Sequence, residues 1–135
     1  MATYNHFYDL PVYKICREFR KKVSTIVNNS IPQKEEYRLK SQILNSSRSI
    51  TANIAEGFER THLKEKIQFY NVARASGGEI RSLIYVVNDI YPALKEYCEH
   101  ILTDLNNTGK LISGLIKSTA ARINTPNSYL QTPNS

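Results

Sequence analysis

Ser49-Ile50-Thr51-Ala52-Asn53-Ile54-Ala55-Glu56-Gly57 decides how this chain is read. Ile50 and Ile54 stand one helical turn apart and extend an apolar row through Leu39, Ile43 and Ser46. Leu44, Thr51 and Ala55 form a second, weaker row well away from the first, and a helix apolar on two sides touches two partners, one of which can be another subunit. Asn53 and Gln42 fall at the edge of the main row. Asn53 and Glu56 are expected as internal polar ties that satisfy helix ends or a neighbouring arginine. On that reading Asn53→Ala lowers stability or assembly and leaves any nucleic-acid affinity of the folded protein intact. Gly57, able to take positive φ without a Cβ penalty, is the expected stop. The stretch offers no catalytic nucleophile, no metal-ligand spacing and no phosphate-cradling glycine loop.

Helical periodicity continues on both sides. A first helix is expected over about 10–28, with Asp9 as N-cap and Pro11 in the first turn. Val12, Ile15, Cys16, Phe19, Val23 and Ile26 form its apolar stripe, with Lys14, Arg17 and Lys21 opposite. Ser30-Ile31-Pro32-Gln33 restarts the chain into the second helix, which runs to about Glu56. Thr61 is placed to cap a third helix over about 62–88, lined inside by Phe69, Ala73, Ser76, Ile80, Leu83, Ile84, Val87 and Ile90. Gly77-Gly78 in its middle costs about 1 kcal/mol per glycine, so a close neighbouring backbone is expected there. Pro92 opens the last helix, which reaches about Ile123 on a seam of Leu94, Cys98, Ile101, Leu105, Ile112, Leu115 and Thr119. No period-2 run appears, so the fold class is all-α, an antiparallel up-down-up-down four-helix bundle. The bundle domain is assigned to residues 1–123. Residues 124–135, with Thr-Pro-Asn-Ser occurring twice, are expected as a disordered polar tail.

At 135 residues the chain makes one domain, burying about two-thirds of its unfolded surface. No apolar run approaches the ~18 residues needed to cross a bilayer, and Asn5, His6 and Asp9 interrupt any signal-peptide pattern. Cys16 and Cys98 are too far apart to suggest a zinc site or a disulfide framework, so a reducing cytoplasm is expected. Charge is unevenly placed. Residues 1–81 carry 14 Lys and Arg against 8 Asp and Glu, and residues 82–135 carry 4 against 4. Such asymmetry suits a surface that faces a polyanion, or basic helices that are simply solvated.

Catalytic and metal chemistry find little support. A di-iron bundle needs two Glu-x-x-His motifs and two further glutamates, whereas Glu59-Arg60-Thr61-His62 is the one such spacing and straddles the break after Gly57. His100, with Glu96 and Glu99, lies off the seam of the fourth helix. Cys16 and Cys98 sit on apolar stripes as small hydrophobes. Neither an enzyme nor a cofactor is expected.

Two faces suit nucleic acid. Lys14, Arg17 and Lys21, flanked by Arg20 and Lys22, form the back of the first helix. Tyr70, Arg74, Arg81 and Tyr85 fall within about 60° of one another on the outer side of the third, at 100° per residue. Lys and Arg neutralise phosphates, and Tyr stacks on unpaired bases. Tyr and Arg are equally enriched at protein interfaces, so Tyr70 and Tyr85 suit stacking or an oligomer contact.

Four blocks together carry a resemblance: Phe7-Tyr8-Asp9-Leu10-Pro11-Val12-Tyr13, Ser41-Gln42-Ile43 with Asn53-Ile54-Ala55-Glu56-Gly57, Ala73-Arg74-Ala75-Ser76-Gly77-Gly78-Glu79, and Gly114-Leu115-Ile116-Lys117-Ser118. In order and over about residues 7–118, they resemble the four-helix-bundle proteins encoded in 23S rRNA intervening sequences. Ala52 stands where that family often has proline, and Gly77-Gly78 where it has a single small residue. The resemblance implies a homopentameric ring with a basic surface and association with RNA. It extends to the accessory variability proteins of diversity-generating retroelements, which bind a reverse transcriptase. The expected function is therefore non-enzymatic, homo-oligomeric binding of nucleic acid, RNA before DNA, through phosphates with little sequence selectivity. The alternative is a protein-interaction adaptor, such as an accessory subunit of a retroelement reverse transcriptase.

Overall fold

The computed structural model describes residues 3–32 and 36–123, and among these the chain forms four helices and no strand. They are α1 (Pro11–Ser30), α2 (Tyr37–Glu59), α3 (Leu63–Ile90) and α4 (Lys95–Ile123). Short 3-10 turns occupy Phe7–Asp9 and Pro92–Leu94. Each helix packs on its sequence neighbours and α1 closes the ring against α4, with the α2–α3 seam the most extensive. Ser49 meets Ser76 while Gly57 meets Tyr70, so ascending numbers on α2 meet descending numbers on α3. Arg74 with Ser113 and Arg81 with Asn106 show the same reversal between α3 and α4. The bundle is antiparallel. The expected tail over 124–135 lies outside the described residues.

Pro11 opens α1 at a position where its missing N–H has no helical partner to lose. Asp9 does not cap it. That residue belongs to the preceding 3-10 turn, and the N-cap is Leu10 in extended conformation without a side-chain cap. The buried stripe is Val12, Cys16, Phe19, Val23 and Val27. Ile15 is 44% exposed and Ile26 only partly buried. They lie about 80° and about 60° off the stripe's centre on the helical wheel, towards its edge.

α1 ends at Ser30, two residues beyond the expected Asn28, and α2 starts at Tyr37, so Ser30 does not begin the next helix. The end of α1 is tied down by a lysine. Lys40, only 4% exposed, donates from Nζ to the Ile31 carbonyl at 3.0 Å. Its four-carbon stem crosses the apolar interior to reach a carbonyl at the negative end of the helix dipole.

The same device closes α2. Lys66 Nζ donates to the Phe58 carbonyl at 2.6 Å and to the Gly57 carbonyl at 3.4 Å. Lys40 and Lys66 are each the fourth residue of their own helix. Burial lowers the Lys66 pKa and the Arg122 charge adds to this, while Glu59 opposes it. Gly57 is therefore not the stop. It lies inside α2, and no described glycine takes positive φ. A Cβ on Gly57 would stand 2.7 Å and 2.9 Å from ring atoms of Tyr70 and 3.0 Å from Phe69 Cβ. Glycine is needed here for space. Tyr70, 2% exposed, fills that space and is not on the outer face.

Leu39, Ile43, Ser46, Ile50 and Ile54 are all buried, as their spacing requires. On α3 the buried row is Leu63, Tyr70, Ala73, Ser76, Ile80, Ile84 and Val87. Ile90 is 46% exposed and Phe69 half-buried, its ring covered by the Arg60 guanidinium at 4.6 Å. α3 starts at Leu63 with His62, not Thr61, as N-cap. Gly77 meets side-chain tips of Leu105 and Ile50 at 3.8 and 4.0 Å, and Gly78 faces open space, so no backbone approaches the pair. On α4 the buried row is Cys98, Ile101, Leu105, Thr108, Ile112 and Thr119.

Candidate nucleic-acid interface

On α1, burial of Val12, Cys16, Phe19, Val23 and Val27 turns Lys14, Arg17 and Lys21 to the exposed side, as the helical period requires. Lys21 lies 3.5 Å from Glu18, both largely exposed, a pair of little energetic weight. Lys22 does not join the free cations. Its Nζ pairs with Asp104 Oδ2 of α4 at 2.8 Å and ties α1 to α4. Arg20 is half-buried on the α2 side and borders a groove with Arg48, a cation the sequence reading did not single out.

α3 presents Arg74 and Arg81 to α4. Arg74 donates to Asn71 Oδ1 at 2.9 Å and Ser113 Oγ at 3.4 Å. Arg81 donates to Asn106 Oδ1 from both terminal nitrogens, at 3.1 and 3.4 Å, and its Nε is buried without a partner. Every one of these acceptors is neutral, and among the described residues no carboxylate pairs with either guanidinium. Tyr85, one turn beyond Arg81, is 57% exposed. Of the expected quartet, only Tyr70 is withdrawn into the core. The contacts reveal two further cations. Asn106, Lys110, Ser113 and Lys117 follow at helical spacing on α4, and no Asp or Glu occurs between Leu105 and Ile123. Antiparallel register brings Lys110 and Lys117 beside Arg74 and Arg81, which a helix-by-helix sequence reading does not pair.

The signature residues have other work. Asn53 Nδ2 donates to the Ser49 carbonyl at 2.8 Å and Ser49 Oγ at 3.0 Å. Ser76 Oγ gives its proton to the Val72 carbonyl at 3.0 Å, so Ser49 is the donor in the 2.8 Å Ser49–Ser76 contact. A directional relay thus runs from Asn53 across the α2–α3 seam. Glu56 is not internal. It is exposed and pairs with Arg60 at 2.8 Å, while Gln42 is also exposed.

Cys16 and Cys98 are both free and buried. Burial pushes the Cys16 thiol up to about 12, and burial with the Glu99 charge raises Cys98. Neither is activated as a nucleophile at neutral pH. Among the described residues no group of three or more His, Cys, Asp or Glu is placed to hold a metal, and no helix is long and apolar enough to cross a membrane.

The fold is shared. A protein of unknown function from the S23 ribosomal protein family of Bacteroides thetaiotaomicron VPI-5482 has a crystal structure similar to this chain, with a TM-score of 0.72 and 24% sequence identity. The likeness covers 78% of this chain and 95% of that one. No curated protein sequence matches. The model of the 23S rRNA-intervening sequence protein family matches residues 8–114, from the approach to α1 to the middle of α4. The chain belongs to the 23S rRNA-intervening sequence protein family.

Proposed function

We propose that this protein is a non-enzymatic, homo-oligomeric binder of nucleic acid, RNA before DNA, that contacts phosphates with little sequence selectivity. One observation carries the reading. Arg74 and Arg81 are held in place by neutral amides and a hydroxyl, so their charges remain available to an external anion. Lys110 and Lys117 extend that array on α4, and Lys14 and Arg17 offer a second on α1. Exposed Tyr85 beside Arg81 suits an unpaired base, which favours single-stranded or irregular RNA. The family's name supports the same polymer.

A salt titration of binding to single-stranded RNA, structured RNA and duplex DNA tests this. Phosphate-driven affinity falls linearly in log–log form as salt rises. Absence of binding at low salt refutes the reading. Charge reversal of Arg74 and Arg81 together, and separately of Lys14 and Arg17, identifies the face.

A protein contact is favoured by a different observation. Val72, Val86 and Ile90 are 47%, 40% and 46% exposed and lie within about 40° of one another on α3. The strip is interrupted by the exposed Glu79, and its apolar ends suit a second copy of the chain, giving the homo-oligomer, or an adaptor role towards a protein such as a reverse transcriptase. Sedimentation of wild type and Val86→Asp separates these: loss of the oligomer assigns the strip to self-association. If Arg74/Arg81 reversal dissociates the oligomer instead of abolishing RNA binding, that face too is an interface.

A further inference from the structure

We infer that the groove between α1 and α2 is a phosphate site that seats one phosphodiester of a bound RNA strand, with Arg20 and Arg48 as its two guanidinium ligands. The inference rests on the proposed phosphate-binding role and names where one contact is made. The groove encloses about 410 Å³, within the range of small-ligand sites. Arg20 and Lys21 enter from α1 and Arg48 from α2. Among the described residues no carboxylate lines it, and Leu44 is the single apolar side chain there.

The donor inventory selects an anion. Arg20 has no hydrogen-bond or ion-pair partner among the described residues, and Arg48 has one long contact, 3.4 Å to the neutral Asn45 Oδ1. Their planar forks match phosphate oxygens in pairs. Thr25 and Ser47 spend their hydroxyl protons on the carbonyls of Lys21 and Leu44. Ser24 differs: its oxygen accepts from Asn28 Nδ2 at 3.3 Å, which leaves its proton to donate outward. Two guanidinium groups and one hydroxyl therefore line the groove with little to satisfy them internally, beside the Lys21 ammonium, whose one partner is the exposed Glu18 at 3.5 Å.

The neighbouring groove provides the contrast. Between α1 and α4 lies a space of about 520 Å³ whose lining includes Glu18, Asp104, Ile15 and Phe19, with Lys22 already paired to Asp104. Lys14, Lys21 and Lys22 also line that groove, but its two carboxylates offset two of those charges and it holds no guanidinium. The two grooves flank α1 and share Lys21 and Thr25, so the helix separates a carboxylate-free, guanidinium-lined side from one of mixed charge.

The test compares wild type, Arg48→Gln, Arg20→Gln/Arg48→Gln and, as a cation control elsewhere, Lys95→Gln. Fluorescence anisotropy with a short single-stranded RNA is read between about 50 and about 200 mM salt. Circular dichroism first checks that each variant is folded; Arg48 is exposed, so its single substitution keeps the test open if Arg20 proves structural. The expected result is affinity about tenfold weaker in the double variant at low salt, and a log–log slope shallower by about 0.7 per lost phosphate contact. Lys95→Gln should leave the slope in place. RNA binding with an unchanged slope in the double variant overturns this site and leaves the wider reading standing. If wild type binds no RNA, the wider reading fails, and amide NMR titration with inorganic phosphate then decides the groove alone. Saturable shifts at Arg20, Ser24 and Arg48 uphold a phosphate site; their absence overturns it.

Discussion

Replacing Gly57 by alanine tests the central packing claim, because propensity and sterics act in opposite directions at this position. In an open helix interior the change stabilises by about 1 kcal/mol. At Gly57 the new methyl carbon would lie 2.7 Å and 2.9 Å from Tyr70 ring carbons and 3.0 Å from Phe69 Cβ. Carbon pairs rest at about 3.5–4.0 Å, so the overlap on the ring approaches 1 Å. Tyr70 is 2% exposed, so its ring is confined by the surrounding core. Overpacking of this kind costs about 1–3 kcal/mol, so the net change runs from near neutral to about 2 kcal/mol destabilising. The control is Gly78→Ala, where an added Cβ meets nothing within 4 Å and only the favourable propensity operates. Thermal melts at matched protein concentration should place the two variants roughly 5–10 °C apart, Gly57→Ala the lower. In a Tyr70→Ala background the sign at position 57 should reverse, since the colliding ring is gone. Equal melting temperatures for Gly57→Ala and Gly78→Ala would refute the argument.

Three further outcomes follow from contacts described above. Burial pushes Cys16 from 9.0 to about 12 and Tyr70 from 10.0 to about 12, with the Arg122 charge pulling Tyr70 back slightly. The fold then keeps protons that the unfolded chain has released, so stability should fall from about pH 9 upward by up to about 1.4 kcal/mol per pH unit for each group. Lys66 acts in the opposite sense: its pKa is lowered from 10.5 in the fold, so its contribution makes stability rise with pH just below 10.5. Urea titrations across this range check the balance, Cys16→Ala should flatten the fall nearest pH 9, and pH-independent stability would contradict the thiol's burial. Lys40→Met keeps the apolar stem but removes the donor to the Ile31 carbonyl, and should cost about 1.5–3 kcal/mol in urea denaturation; a methionine variant as stable as wild type would remove the clamp's importance. Asn53→Ala and Ser76→Ala each break the same relay, so each should cost about 1 kcal/mol and the pair less than their sum, and full additivity in a double-mutant cycle would dissolve the relay into separate bonds.

The rows Leu39–Ile43–Ser46–Ile50–Ile54 and Cys98–Ile101–Leu105–Ile112 were legible because helical period and burial are both one-dimensional signals. Features that depend on a second helix were not. Tyr70 borders the arginine stripe on its own helix, and only the hole left by Gly57 on α2 shows that it points inward. The lysine clamps are not legible in the sequence, because an ammonium on an apolar face contradicts simple patterning unless a carbonyl acceptor from another helix end meets it. Arg48 and Lys110 became site residues only when the antiparallel register set α1 against α2 and α3 against α4. Ile15 illustrates the opposite failure: apolar and in the stripe by spacing, it sits at an edge where α1 and α4 stand apart around an open groove.

Lys40 and Lys66 reach back nine residues or fewer to the carbonyls they secure. Loop closure over so short a separation is entropically cheap and fast. Each of the first two hairpins can therefore be clasped by its own lysine before any distant part of the chain arrives. The α1–α4 seam, tied by Lys22 to a residue 82 positions away, carries a larger closure cost. The two clasps thus concentrate their stabilisation in contacts that are local in sequence, whereas the Lys22 tie contributes only once the whole chain is assembled.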